Sequence, residues 1–382
     1  MNQIVLLGDV AQVLGGGTPS TKTPEFWNGD IPWITPRDLS THHDMYISKG
    51  DRGITQAGLA RSSAKLLPAG AVIFSSRAPI GYVTIASKPM ATNQGCKGIN
   101  CDESKLDNRY LYYWLKLNKA HIESLAGGST FKEISTTGVR NLEMKIPDVE
   151  IQKKSADILG TIDEKIELNR KMNETLEQMG QALFRHYFID NPEAEAWGVK
   201  SLDEIATFLN GLAMQKYPRV AGEPTLPVIK IREMSSGITD NTDIASAAIP
   251  ERYIINNGDL LFSWSGTLLL KFWGEGSGAL NQHLFKVSSE NYPEWLYYYW
   301  TEHHLDEFIR IAKSKATTMG HIQRKHLSQA KVRVPGESEM NQIGDKIQPI
   351  LDAWKQNAQQ IQSLATLRDT VLPRMISGKV RL

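Results

Sequence analysis

The sequence predicts an α+β protein built as an internal repeat: two similar α/β globules, each followed by a long helix, related by a pseudo-twofold. Three observations carry this. Short motifs recur in the same order at a nearly constant shift. Two long stretches with heptad spacing close the two halves. The segments before them mix short β-rich runs with clusters of Gly, Pro, Asn and Ser, as in a globule of strands and turns.

The repeat is read from matched motifs. Asn93-Gln94 recurs as Asn281-Gln282, and Gly70-Ala-Val-Ile-Phe74-Ser75 as Gly258-Asp-Leu-Leu-Phe262-Ser263, both at a shift of 188. Ser129-Thr130 and Ile146-Pro147 recur as Thr317-Thr318 and Val334-Pro335 at the same shift of 188. Tyr112-Tyr113-Trp114 recurs as Tyr298-Tyr299-Trp300 at 186, and Ile31-Pro32 through Arg37 as Leu226-Pro227 through Arg232 at 195. A period of half the chain is too long for a solenoid and suits two whole domains.

Within each globule the β-rich runs are Ala71 to Phe74 and Gly81 to Ile85 in the first copy and Gly258 to Phe262 in the second. Helical pieces are expected from Tyr110 to Glu123 and from Trp295 to Ala312. The stretch from Glu150 to Phe188 has no proline, and Ile158, Ile162, Met172, Leu176, Met179 and Leu183, with Lys165 and Asn169 filling the gaps, follow an alternating four-three spacing. That is a heptad seam. Ile343, Ile347, Ile350, Trp354, Asn357, Ile361 and Leu364 repeat it. About forty residues of helix span ~60 Å and expose an apolar stripe that needs a partner, and the other copy is the obvious one. Pro349 is expected to kink the second helix or delay its start. Asn169 and Asn357 match at a shift of 188. In an antiparallel pair they meet at the midpoint and fix register at a cost in stability; the alternative is two solvated asparagines.

Composition bounds the function. The 382 residues suggest two or three domains. The 43 basic and 42 acidic residues leave a net charge of +1, so any nucleic-acid contact is local. A hydrophobic content of 41% suits ordinary cores, and two cysteines, Cys96 and Cys101, make no disulfide framework or zinc site. No apolar run reaches about 18 residues, and the start is a poor signal peptide, so a soluble intracellular chain is expected.

The motifs of catalysis are missing. Gly15-Gly16-Gly17 and Gly274-Glu-Gly-Ser-Gly278 do not open a βαβ unit, and no Pro-Pro dipeptide is present, against a methyltransferase site. There is no P-loop and no Gly-x-Ser-x-Gly elbow. Asp163-Glu164-Lys165 lies on the seam helix, where a solvated charged face is the better reading than a nuclease centre. His42-His43 and His303-His304 have no carboxylate at ligand spacing. No catalytic or metal-binding residue is assigned.

A binding surface is legible instead. The stretch from Ala312 to Arg333 holds Lys313, Lys315, Arg324, Lys325, Lys331 and Arg333 with His321 and His326 and no acid. Its counterpart from Gly127 to Arg140 carries Ser129, Thr130, Lys132, Ser135, Thr136, Thr137 and Arg140 against one acid, Glu133. Lys and Arg suit phosphates, while amides and hydroxyls read base edges. Arg77 in Ser75-Ser76-Arg77 and Trp264 in Ser263-Trp264-Ser265 occupy a matching turn after the β run. For each residue alone, an ordinary solvated loop is the competing reading.

In this order, the motifs resemble one family over almost the whole chain: the specificity subunits of bacterial type I restriction–modification systems. The pieces that carry the resemblance are Ile31-Pro-Trp-Ile-Thr-Pro-Arg-Asp38, Ser76-Arg-Ala-Pro-Ile-Gly-Tyr-Val83, Asn93-Gln94-Gly95 and Gly128-Ser-Thr-Phe-Lys-Glu-Ile-Ser135. Ile146-Pro with the Gln152-led helix, Ala182-Leu-Phe-Arg-His-Tyr-Phe188 and Leu372-Pro-Arg-Met-Ile-Ser-Gly-Lys379 complete them. The resemblance implies two target-recognition domains, 1–146 and 193–334, each reading half of a split double-stranded DNA site. It implies that the helical regions 147–192 and 335–382 form an antiparallel coiled coil separating them, with Ile158, Ile162, Asn169, Leu176, Ile350, Asn357 and Leu364 on the seam.

It further implies a non-catalytic cytoplasmic chain, off the membrane, that recruits two methyltransferase subunits and two restriction/translocase subunits. S-adenosylmethionine, ATP and Mg are then expected on those partners, and no cofactor in this chain. Matched loops nominate Arg37, Ser76, Arg77, Asn93, Gln94, Lys97, Ser129, Thr130 and Lys132 as DNA contacts in the first domain. In the second they nominate Lys230, Arg232, Trp264, Ser265, Gln282, His283, Lys313, Lys315, Thr317, Thr318, His321, Arg324 and Lys325. The second copy departs from the pattern: Ser-Arg-Ala-Pro becomes Ser263-Trp-Ser-Gly266, and Thr-Phe-Lys becomes Thr318-Met-Gly320. The competing reading is a coiled-coil scaffold joining two protein-binding modules with no DNA readout; a self-sufficient methyltransferase is disfavoured by the missing motifs.

Overall fold

The computed structural model describes residues 3–42, 44–127, 132–239, 241–314 and 320–378. The chain forms two compact units, Met1–Glu167 with Leu364–Leu382, and Leu168–Ser363. Each unit therefore holds one globule and one end of both long helices.

The main sheet of the first unit runs in the order Ala11–Gly15, Cys96–Cys101, Val72–Ser76, Ile80–Ala86 and Tyr46–Ile47. The second unit repeats it as Thr207–Asn210, Leu284–Ser288, Leu260–Ser263 and Leu270–Phe272. The central strands read as unbroken apolar runs because both faces are covered. Val72 and Phe74 face one core while Ala71 and Ile73 face another, and Leu260 and Phe262 face away from Leu261 in the same way. This is the two-residue period of a strand buried on both sides. Register repeats with the sequence: Phe74 pairs with Lys97, and Phe262 with Phe285.

On one face of each sheet lies a tyrosine-rich helix, Asn108–Leu117 or Glu294–Ser314. The first is capped by Asp107, whose carboxylate accepts the amides of Arg109 at 3.0 Å and Tyr110 at 2.9 Å. A smaller sheet carries Trp27–Ile34 in one unit and Thr225–Ile229 in the other. The shift falls from 195 to 188 because the second copy is shorter between this strand and the central one. The longer first copy holds the strand Tyr46–Ile47 and the helix Gln56–Ala60 in that interval.

Two-stranded sheets tie the ends of each globule together, Gln3–Leu6 with Glu143–Ile146 and Gly198–Ser201 with Lys331–Val334. Each leads into a long helix: Val149–Phe184, extended by a π-helical turn at Arg185–Ile189, and Glu337–Ile376. In the first unit Ala156 and Leu159 of the first helix share a core with Leu372, Met375 and Ile376 of the second. In the second unit Phe184 and Phe188 share one with Ile343, Ile347 and Leu351. The helices run antiparallel. Asp163 meets Arg368 in the first unit, while Asn169 meets Gln360 and Asn173 meets Trp354 in the second, so numbers rise on one helix as they fall on the other.

Three expectations for this pair need correction. Ile158 is not on the seam: it is 42% exposed, and Met172 and Met179 also face outward. Here the helix turns Ala156 and Leu159 toward its own globule, and a 3.6-residue helix drifts ~20° per heptad from a strict seven-residue repeat. Ile162, Leu176, Ile350, Asn357 and Leu364 are partly covered, and Asn169 is fully buried. Asn169 does not meet Asn357; its amide donates to Gln360 Oε1 at 2.6 Å. The Asn173 amide donates to the Trp354 carbonyl at 3.1 Å. Pro349 does not delay the second helix, which begins at Glu337 and passes through it. Ile347 and Leu351, buried on either side, hold the proline within the packed helix.

The two halves of the pair differ in polarity. In the first unit Arg368 Nη1 lies 2.8 Å from Asp163 Oδ1, and the Tyr113 hydroxyl donates to Asp163 Oδ2 at 2.7 Å. Burial raises the Tyr113 hydroxyl well above the ordinary phenol range, and Asp163 adds to the shift. At the repeat positions the second unit has Leu351, Gly180 and Tyr299. An added Cβ at Gly180 would lie 1.7 Å from Tyr299 Oη.

Candidate nucleic-acid interface

In each unit, four loops converge at the end of the central strand. In the first, Ser76 N donates to the Gly95 carbonyl at 2.8 Å and Ile134 N to the Ser76 carbonyl at 3.0 Å. In the second, Trp264 N donates to His283 O at 3.3 Å and Ile322 N to Trp264 O at 2.9 Å. The bridge between Arg77 and Glu133 is matched by the bridge between Ser265 and His321. Every member is shifted by 188, so Ser76 stands opposite Trp264 and Arg77 opposite Ser265. This is one position from the Ser-Arg-Ala-Pro alignment read in the sequence.

The repeated asparagines shape this frame. Asn93 Oδ1 accepts Gly95 N at 2.9 Å, and Asn281 Oδ1 accepts His283 N at 3.3 Å. These are side-chain turns, in which the amide mimics a backbone carbonyl. Gly16 and Gly211 admit the same loop: an added Cβ would sit 2.0 Å from Asn93 O and 2.3 Å from Asn281 O. A short helix completes the frame. Asp38 Oδ2 accepts Thr35 N at 2.8 Å to start Pro36–Ser40, and Glu233 Oε2 accepts Lys230 N at 3.1 Å to start Ile231–Ser236.

The first unit brings together Arg37, Arg77, Gln94 and Lys132 as exposed or half-exposed groups. Arg77 Nη1 and Lys97 Nζ each lie 3.4 Å from one oxygen of Glu133. Thr18 donates to Gln94 Oε1. Three nominated contacts are corrected. Ser76 is fully buried and its hydroxyl donates to Gly95 O at 3.2 Å, so it builds the turn. The Lys97 side chain is 7% exposed and serves as counter-charge to Glu133. Asn93 is likewise committed to its turn. Ser129 and Thr130 lie outside the described residues.

In the second unit the same frame carries an aromatic and imidazole cluster. Trp264 Nε1 donates to Asn210 Oδ1 at 2.8 Å and to Gln282 O at 3.1 Å. Its ring packs on those of His283, Phe285 and His321 at 5.7, 6.1 and 6.3 Å. Ser265 is buried, with its hydroxyl 3.0 Å from His283 Nδ1, so it too belongs to the frame rather than to an exposed contact. Lys230 pairs with Asp243, and Arg232 with Glu233 at 2.7 Å and the Asn241 carbonyl at 2.9 Å. Lys325 is exposed. Lys313 is exposed beside a cavity of about 370 Å3 lined by Gly266, Thr267 and Gly320. Lys315, Thr317 and Thr318 lie outside the described residues.

Three roles escaped the sequence reading. Glu133 collects two cations, and Asn210 orients the Trp264 indole. Arg140 Nη2 donates to the Val13 carbonyl at 3.1 Å, and Arg324 Nη2 to the matching Phe208 carbonyl at 3.4 Å. Arg140 and Arg324 occupy different repeat positions, so comparing the copies position by position hides their common task.

The other sequence candidates are engaged elsewhere. Asp163 is in the helix-pair ion pair, and His304 Nε2 lies 2.9 Å from the Lys331 carbonyl. Burial lowers the His303 imidazole, with His304 adding to the shift. Among the described residues no group of three His, Cys, Asp or Glu side chains is placed to hold a metal ion. Both cysteines are free, and burial pushes the Cys101 thiol up to about 12. No helix among the described residues is long and apolar enough to cross a membrane.

Comparison with known proteins agrees with this doubled architecture. The family model described as the type I restriction modification DNA specificity domain matches twice, over residues 2–178 and 194–366. The specificity subunit of the type I restriction enzyme MjaIX from Methanocaldococcus jannaschii is 30% identical, covering 98% of this chain and 92% of that one. The HindI specificity subunit from Haemophilus influenzae is 22% identical over 68% of this chain and 73% of its own. The crystal structure of a type I restriction–modification S subunit from M. genitalium has the same fold, with a TM-score of 0.62 at 17% identity over 98% of this chain and 96% of that one.

Proposed function

The chain belongs to the specificity subunits of type I restriction–modification systems, and from that premise we propose that each unit reads one half of a split duplex target through its four-loop cluster. The observation that carries this reading is the pair of hydrogen-bonded frames matched position by position, with exchanged side chains. A frame kept twice argues for one task done twice. A charged trio in one frame and an aromatic–imidazole cluster in the other argue for different bases.

The exposed cations suit phosphates. Arg37 and Lys132 flank the first cluster, and Lys313 and Lys325 the second. Their contribution is positioning, since phosphate contacts carry no base information. The recognition domains are assigned to 1–146 and 193–334, and the helical regions 147–192 and 335–382 to docking two methyltransferase and two restriction/translocase subunits in the cytoplasm. The chemistry then belongs to those partners, with S-adenosylmethionine, ATP and Mg bound there, and this chain acts as a non-catalytic reader.

The test is selection from a random duplex library by the full chain assembled with its methyltransferase partner. The expected result is a two-part motif with an unspecified gap, together with methylation restricted to that motif. Binding that ignores sequence at every salt concentration would overturn the reading and favour the protein scaffold.

A further inference from the structure

The loop cluster of the first unit holds one carboxylate and two cations. Arg77 and Glu133 face each other across an antiparallel bridge, which sets their side chains on one face. Glu133 Oε2 takes Arg77 Nη1 and Oε1 takes Lys97 Nζ, each at 3.4 Å. Charge-assisted hydrogen bonds close to about 2.7–2.9 Å, so both contacts are loose ion pairs. The two cations differ in freedom. The Lys97 side chain is 7% exposed and also reaches the Gln94 carbonyl at 3.4 Å, whereas Arg77 is 37% exposed.

This arrangement makes Arg77 inexpensive to redirect. Pulling one partner from a buried ion pair ordinarily strands a charge. Here Glu133 keeps Lys97 when Arg77 swings away. Among the described residues only Nη1 of Arg77 has a side-chain partner, leaving the other donors of its planar fork uncommitted. The matching positions of the second unit are Ser265, His321 and Phe285, so none of them is an arginine. The Arg324 guanidinium lies over the Phe285 ring at 5.9 Å and donates to the Phe208 carbonyl at 3.4 Å, with no carboxylate at these positions to aim it.

A planar fork that only donates has a matching base. In the major groove guanine offers two adjacent acceptors, O6 and N7, whereas adenine sets a donor beside its acceptor. Resting on the function proposed above, we propose that Arg77 is a specificity-determining residue that reads a guanine in the half-site of the first unit. Glu133 positions the guanidinium, and Lys97 is the counter-charge that lets it leave. The second unit has Ser265 at the position of Arg77, so its half-site is read without a fork from that turn.

The experiment compares the wild-type full chain with R77A, R77K and E133Q, each assembled with the methyltransferase partner, by methylation-site mapping on a random duplex library. For R77A one guanine position in one half-site relaxes, with roughly a ten- to hundredfold loss of discrimination there, and the other half-site is unchanged. R77K keeps the charge and loses the fork, so discrimination falls while the salt dependence holds. E133Q gives a smaller relaxation at the same position, the mark of a positioning residue. Equal weakening on every sequence by R77A, with a shallower salt slope restored by R77K, would make Arg77 a phosphate contact and overturn the proposal. So would an unchanged motif, or relaxation at a position other than guanine. Failure of the broader reading looks different, because the wild-type complex itself would then select no motif.

Discussion

The ion pair between Asp163 and Arg368 offers a sharp energetic test, since the second unit shows what the same place looks like without it. Both side chains are about four-fifths covered, at 17% and 21% exposure, and the Tyr113 hydroxyl also points at Asp163. Breaking a fully buried pair costs about 3–5 kcal/mol because one charge is stranded. Residual solvent access reduces this to roughly 2–3 kcal/mol for Arg368→Ala. Asp163→Leu should cost less, about 1 kcal/mol, because Arg368 keeps Asp369 at 2.9 Å.

The double variant approaches the Leu351 and Gly180 arrangement of the second unit, so it should cost about 1 kcal/mol rather than the sum. The resulting coupling is about 2–3 kcal/mol. A protein of two units need not unfold in one step, so hydrogen exchange at peptides covering Val72–Ser76 and Ile80–Ala86 is the suitable readout, with urea as the perturbant. Additive single-variant effects would refute the argument, as would equal losses of protection in the second unit.

Other outcomes follow from single sites. Gly180→Ala should destabilise the second unit by about 1–3 kcal/mol, because its methyl would lie 1.7 Å from the buried Tyr299 hydroxyl. Gly160→Ala, at which an added Cβ has nothing within 4 Å, should instead stabilise by about 0.5–1 kcal/mol, and paired thermal melts check both. Replacing Lys313 and Lys325 with Ala should weaken binding to all duplexes and flatten the log–log salt slope by about one to two units. An unchanged slope removes them from the interface. Asn169→Leu should stabilise the helix pair by about 1 kcal/mol, since Asn169 Oδ1 is buried without a partner and Gln360 is exposed to water. It should also loosen helix register, read as broader distances between spin labels on the two helices.

Much of the fold was legible because it rests on strong periodic signals. The central strands announced themselves as apolar runs, and both long helices as four-three spacings. The repeat shifts of 195 and 188 reappear as matched hydrogen bonds. What was misread depends on surroundings that sequence spacing does not encode. Ile158 fits a heptad as well as Leu159 does, and only packing against the globule decides between them. Asn169 was correctly placed on a seam, but its partner depends on the stagger of two helices, and the stagger puts Gln360 opposite it.

The candidate site was found at the level of loops and missed at the level of side chains. Small polar residues such as Ser76 and Ser265 suit both a base contact and a turn, and the structure spends them on turns. Lys97 read as a DNA cation because nothing local warned of Glu133, which is distant in sequence and adjacent in space. Charge partners across a bridge leave no periodic trace.

The two guanidinium bonds to matching carbonyls bear on how such a protein can be recombined. Arg140 ends the helix Thr136–Arg140 and Arg324 begins the helix Arg324–Gln329, yet they reach Val13 and Phe208, which correspond. The equivalents of Arg140 and Arg324 in the opposite copies are Ser328 and Thr136. A chimera assembled residue by residue from the two copies would thus give one strand two arginines competing for a single carbonyl, or none. Exchanging the helix together with its strand avoids both failures. The unit that can be transplanted without repair is the loop cluster with everything that braces it, and crossover points belong outside the span from the first sheet strand to this helix.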